Sequence, residues 1–248
     1  MLAIFRFISI GLSGLILTDK EKQWLQHPLV VGVILFTRNY HDKAQLKNLT
    51  RSIRAENPEL LISVDHEGGR VQRFRNEFTV LPPMNQLEKE YFIDPKQTLK
   101  TAYSYGEIIA SELKSVGVDF SYAPVCDLNY GRNNVIGDRA FHSESIPTSL
   151  LVQSFYQGLR AHNSIGVAKH FPGHGYVAID THLGIAYDDR PFQQIVAQDI
   201  LPFKVLIEEG IEAIMPSHIV YTDFDAEHTA VSSAKWMHYL RHDLGFDG

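Results

Sequence analysis

A chain of 248 residues suits one large α/β or barrel domain better than a string of small ones. At 44 % hydrophobic and 21 % charged it has ordinary globular composition, which excludes a disordered or fibrous chain. The single cysteine, Cys126, excludes a disulfide framework and a zinc-ribbon spacing, and a net charge of −6 with no block of like charges argues against nucleic acid or an anionic membrane surface as the main partner.

Met1 to Leu17 is apolar except for Arg6, Ser9 and Ser13, and is short for a spanning helix. Arg6 lies inside the apolar run rather than ahead of it, unlike a signal peptide. Thr18-Asp19-Lys20-Glu21 then follows with the character of a helix start. Ile8 to Leu12 is therefore read as a buried strand of a cytoplasmic protein, with a membrane or export segment as the alternative. Val30 to Phe36 is a nearly continuous apolar run, as in a strand buried on both faces. Asp42 to Glu56 reads as a helix, Leu60 to Val64 as a strand, Thr98 to Val116 as a helix closed by Gly117, and Phe120 to Val125 as a strand. Thr148 to His162 is helical, Gly166 to Lys169 a strand, and Gln193 to Glu209 a helix kinked at Pro202 with Gly210 as its cap. Ile211 to Met215 and Ser233 to Asp243 give a last strand and helix.

Six repeats of strand and helix without a dinucleotide-binding glycine fingerprint predict a parallel α/β fold, and a (β/α)₈ barrel is favoured. Asp65, Asp127, Lys169-His170 and Ser217-His218 each follow a predicted strand directly. In a barrel those strand ends share one face, the catalytic one. The chain ends at Leu244-Gly245-Phe246-Asp247-Gly248, in a helix-to-strand turn, so residues 1–248 are expected to form a single domain, an incomplete (β/α)₈ barrel lacking its last two units.

Three segments carry candidate chemistry. In Lys169-His170-Phe171-Pro172-Gly173-His174-Gly175, proline and glycine forbid a helix, so His170 and His174 cannot form a helical metal pair. Downstream, Asp180 and His182 are separated by one residue. A carboxylate so placed can fix an imidazole tautomer and make the other ring nitrogen a general acid/base. In Asp65-His66-Glu67-Gly68-Gly69-Arg70-Val71-Gln72-Arg73, a strand-end carboxylate near arginines suits sugar hydroxyls, or else a helix cap with a surface ion pair. Asp138-Arg139 in Val135-Ile136-Gly137-Asp138-Arg139-Ala140-Phe141 is ambiguous between a site pair and a local ion pair. Asp127 and His218 could serve either to support a site or the fold.

These segments, with LVVGVILFTRNY and IMPSHIVY, occur in an order that resembles the bacterial β-N-acetylhexosaminidases of glycoside hydrolase family 3. The resemblance runs from about Thr18 to Gly248. It implies a barrel and a retaining mechanism through a covalent glycosyl-enzyme, with no cofactor and no metal. Carried over by motif, His182 is the general acid/base and Asp180 its partner, while Asp65, Arg73, Arg139, Lys169 and His170 bind N-acetylglucosamine. It further implies a small carbohydrate substrate, the N-acetylglucosaminyl-1,6-anhydromuramoyl peptides of cell-wall turnover, and a monomeric complete protein acting on neither nucleic acid nor membrane. Three departures stand out. His66 replaces a common glutamine, and the first 17 residues are unlike the usual family start. The family's nucleophile lies in a Ser-Asp-Asp-Leu motif that these residues do not contain, and only Asp65 and Asp127 sit at strand ends where a substitute could stand. Other expectations remain: a sugar-binding remnant without a nucleophile, a metal-dependent barrel hydrolase using His170, His174, His182 and Asp65, and a phosphorylase variant.

Overall fold

The computed structural model describes residues 7–132, 134–178, 184 and 186–248. β1 (Ile8–Gly11) leads to α1 (Asp19–Leu25), which starts where the sequence predicts. Thr18 accepts the Glu21 amide at 3.2 Å, and the Glu21 carboxylate accepts the Thr18 amide at 2.8 Å, a reciprocal cap. β2 (Val30–Leu35), α2 (Lys43–Glu56, capped by Asp42) and β3 (Leu61–Val64) follow, close to expectation. A hairpin absent from the sequence reading comes next, β4 (His66–Gly68) against β5 (Val71–Gln72). So does a short helix, α3 (Gln86–Ile93). α4 (Pro95–Ser115) begins three residues before the expected start, because Asp94 caps it and Pro95 fits the first turn. β6 is only Phe120–Ser121, and α5 spans Ser145–Arg160.

β7 (Val167–Phe171) is followed by β8 (Ala186–Asp188). The helix expected over Gln193 to Glu209 is two helices, α6 (Phe192–Ala197) and α7 (Leu201–Glu208). Pro202 does not kink a continuous helix; it lies in the first turn of α7, where its missing amide costs nothing. β9 (Ala213–Pro216), β10 (Ile219–Tyr221) and α8 (Ala234–His238), which continues as a π-turn through Asp243, complete the chain.

The sheet is parallel in the order β1-β2-β3-β6, with pairs such as Val33↔Ile62 and Val64↔Ser121. A single bridge, Val125↔Lys169, carries the order on to β7, which pairs with β9. Ser9 of β1, Ile34 of β2, Lys169 of β7 and Met215 of β9 all line one cavity, so the sheet curls around it. That gives six parallel strands in the order β1-β2-β3-β6-β7-β9. Among the described residues no strand joins β9 back to β1. Outside the sheet, α4 and α5 pack through facing glycines. A side-chain carbon at Gly106 would fall 2.1 Å from the Phe155 carbonyl, and one at Gly158 would fall 2.0 Å from that of Tyr103. Among the described residues no helix is long and apolar enough to cross a membrane.

Candidate active site

Asp65, Arg73, Arg139, Lys169 and His170, the five expected sugar-binding residues, all line the cavity at the C-terminal ends of the strands, about 570 Å³ in volume. Asp65 lies just past β3, Arg73 just past β5, and Lys169 and His170 on β7; a 3₁₀ turn over Gly137–Arg139 brings in Arg139. Asp180 and His182, the expected acid/base pair, lie outside the described residues.

Glu67 organises the cations. Its buried carboxylate accepts Arg139 through Nε at 2.9 Å and Nη2 at 2.8 Å, and Lys169 Nζ stands 2.5 Å away. Lys169 Nζ also donates to Asp65 Oδ1 at 3.0 Å, and Arg73 Nη2 lies 3.7 Å from Asp65 Oδ2. Burial alone would raise the Glu67 carboxyl. Lys169 and then Arg139 overturn this and hold it at about 2, so the group is anionic at neutral pH. Lys169 is 2 % exposed, and a buried ammonium stays tolerable only because two carboxylates meet it. Asp138 does not pair with its neighbour Arg139. It accepts Arg70 Nε at 2.7 Å, which frees Arg139 for Glu67.

Asp127 organises the histidines. It accepts the His170 amide at 3.2 Å and the His174 amide at 2.7 Å, and faces His170 Nδ1 at 2.7 Å. Burial pushes its carboxyl up, but the His170 ring and then His174 hold it below its ordinary range. The Asp127 carboxylate thus fixes the orientation of the His170 ring, which lines the cavity. His66 is shut away instead, packed against Phe74 and Phe78. Burial, with Arg75 and Arg73 adding to it, drives its imidazole down to about 3 and keeps it neutral. Of the four residues of the metal alternative, His182 lies outside the described residues; among the described residues no three His, Cys, Asp or Glu side chains form a group that could hold an ion. His218 sits exposed at the cavity mouth.

Glu67 escaped the sequence reading because its partners are 72 and 102 positions away; the two cationic motifs hinted at an anion without naming it. Tyr122 and Ser217, which also line the cavity, carry no sequence signal beyond their strand ends. What the arrangement offers chemically is a compact set of fixed donors and acceptors, suited to an uncharged polyhydroxylated ligand.

A beta-hexosaminidase of Methylobacillus flagellatus is 47 % identical over 242 residues, which cover 97 % of this chain and 69 % of that protein. One of Hydrogenovibrio crunogenus is 48 % identical, covering 97 % and 68 %. The NagZ of Neisseria gonorrhoeae, solved with N-trifluoroacetyl-D-glucosamine, superposes with a TM-score of 0.95 at 40 % identity, over 98 % of this chain and 71 % of that one. The pattern of the glycosyl hydrolase family 3 N-terminal domain matches residues 8–248, and to that family this chain belongs.

Proposed function

We propose that this protein is an exo-acting β-N-acetylglucosaminidase that removes terminal β-linked N-acetylglucosamine from cell-wall turnover fragments, the N-acetylglucosaminyl-1,6-anhydromuramoyl peptides, in the cytoplasm. The observation that carries it is the cluster of Asp65, Glu67, Arg139 and Lys169, built before any sugar arrives and set beside an oriented His170. The family membership and the beta-hexosaminidase relatives support the same chemistry. In this proposal His182, oriented by Asp180, protonates the leaving oxygen and later activates water. A carboxylate nucleophile, supplied by a Ser-Asp-Asp-Leu strand, traps the anomeric carbon.

Two measurements test this. Residues 1–248, titrated calorimetrically with N-acetylglucosamine and with glucose, should bind the first and discriminate against the second, and Lys169→Ala should abolish binding. In a chain that carries the nucleophile motif, His182→Ala and Asp180→Ala should each slow hydrolysis by roughly 10² to 10⁴-fold. Good leaving groups should suffer less. Binding without any turnover in the longer chain would favour a sugar-binding remnant, and wild-type turnover by His182→Ala would remove its role.

A further inference from the structure

Beside the His170–Gly175 turn lies an ion network that does not line the sugar pocket. Arg190 is buried between two buried carboxylates. Its Nε and Nη2 donate to Asp188 at 3.0 and 2.7 Å, and its Nη1 and Nη2 donate to Asp199 at 2.8 and 3.2 Å. The Tyr130 hydroxyl accepts from Arg190 Nη1 at 2.9 Å and donates to Asp199 at 3.0 Å. The network also grips the turn. The Arg190 guanidinium carbon stands 4.1 Å from the Tyr176 ring centroid. Asp199 packs directly on Gly173: a side-chain carbon there would fall 2.6 Å from Asp199 Cβ, at a φ of +144°. On the other side, the Tyr221 hydroxyl donates to the Gly173 carbonyl at 2.6 Å, and Tyr221 is the register partner of Asp188 in the β8–β10 pair.

Two carboxylates and one guanidinium in a buried cluster do not explain themselves by stability, since apolar side chains of equal volume often stabilise as well or better. What a bidentate guanidinium does supply is fixed geometry. We propose that Arg190 is a positioning residue: clamped between Asp188 and Asp199, it holds Gly173 and Tyr176 in place and so sets the position from which His170 presents its ring to the sugar. The identity of the ligand rests on the proposed function; the positioning of His170 does not.

The test uses Arg190→Lys, which keeps the charge and loses the fork, and Asp199→Asn, which keeps the shape and loses a charge. Both are milder than Arg190→Ala, which would strand two buried carboxylates. Arg54→Lys is the control, because it alters an ion pair in which Arg54 Nη2 donates to both carboxylate oxygens of Asp119, at 2.6 and 2.6 Å, and which takes no part in the cavity. For each chain the His170 imidazole signals are recorded by NMR, N-acetylglucosamine is titrated in, and the thermal midpoint is measured. Arg190→Lys and Asp199→Asn should shift the His170 signals and weaken sugar binding about five- to twentyfold. Arg54→Lys should lower the midpoint and change neither. Unmoved His170 signals in both clamp variants, or equal movement in Arg54→Lys, would overturn the positioning role. If the wild type binds no N-acetylglucosamine yet Arg190→Lys moves His170, the sugar proposal falls and the clamp stands; if sugar binds all chains equally, the reverse holds.

Discussion

Glu67 is a buried carboxylate on which two cations converge. With its partners Lys169 and Arg139 it forms a buried group in which removing its charge leaves Arg139 without its carboxylate and Lys169 with Asp65 alone. Glu67→Gln should therefore destabilise the chain by about 3–5 kcal/mol, read from urea or thermal unfolding at pH 7. The same residue sets an acid limit. Its carboxyl is held at about 2 when folded, against an ordinary 4.5, so its contribution is fully present above pH 4.5 and is lost as pH falls towards 2. Stability of the wild type should decline by about 3 kcal/mol through that window on this account, and Glu67→Gln should show a correspondingly shallower slope between pH 4.5 and 2. Asp127 acts through shape rather than charge balance. Asp127→Asn offers His170 Nδ1 an amide donor in place of a carboxylate acceptor, which disturbs the hydrogen bond that orients the ring. About tenfold weaker N-acetylglucosamine binding with a near-normal melting temperature is the expected result. Unchanged affinity would mean that His170 meets the sugar through contacts indifferent to that hydrogen bond.

Among elements, the strands and longer helices were legible because their signals are local. Val30 to Leu35 is apolar on both faces, and α2 opens one residue after the expected start, Asp42, which caps it. What sequence missed depends on partners far along the chain or on single capping residues. Asp94 moves the start of α4, and the split between α6 and α7 follows from Pro202 acting as a start rather than a kink. β4, β5, β8 and β10 are two- or three-residue strands, too short for any periodicity. The site shows the same division. Asp65, Arg73, Arg139, Lys169 and His170, each in a motif that stands out in the sequence, line one cavity, whereas the Asp188–Arg190–Asp199 cluster left no readable trace. Packing between α4 and α5 gives a direct test at this scale. Gly158→Ala would place a methyl 2.0 Å from a backbone carbonyl that cannot swing aside, so the helices must separate. The expected cost is about 2–3 kcal/mol, or roughly 5–10 °C in melting temperature. Gly14→Ala, which meets nothing within 4 Å, should leave the midpoint where it was.

At the level of the whole molecule, the curl of the sheet brings together charges from distant parts of the chain. Asp65, Glu67, Arg139 and Lys169 belong to three separate strand ends and loops, yet each meets an opposite charge within 3.0 Å. In solution, such internal pairing leaves neither Lys169 nor Arg139 waiting for a mobile anion. A neutral sugar entering the cavity then displaces water but no counter-ion, and ionic strength has little to act on. Affinity for N-acetylglucosamine should accordingly change by less than about twofold as sodium chloride rises from about 0.05 to 1 M, even though salt over that range shortens electrostatic reach from about 14 Å to about 3 Å. A steep loss of affinity would show that Lys169 or Arg139 is open to bulk chloride, and that the cavity fills with ions between visits of the sugar.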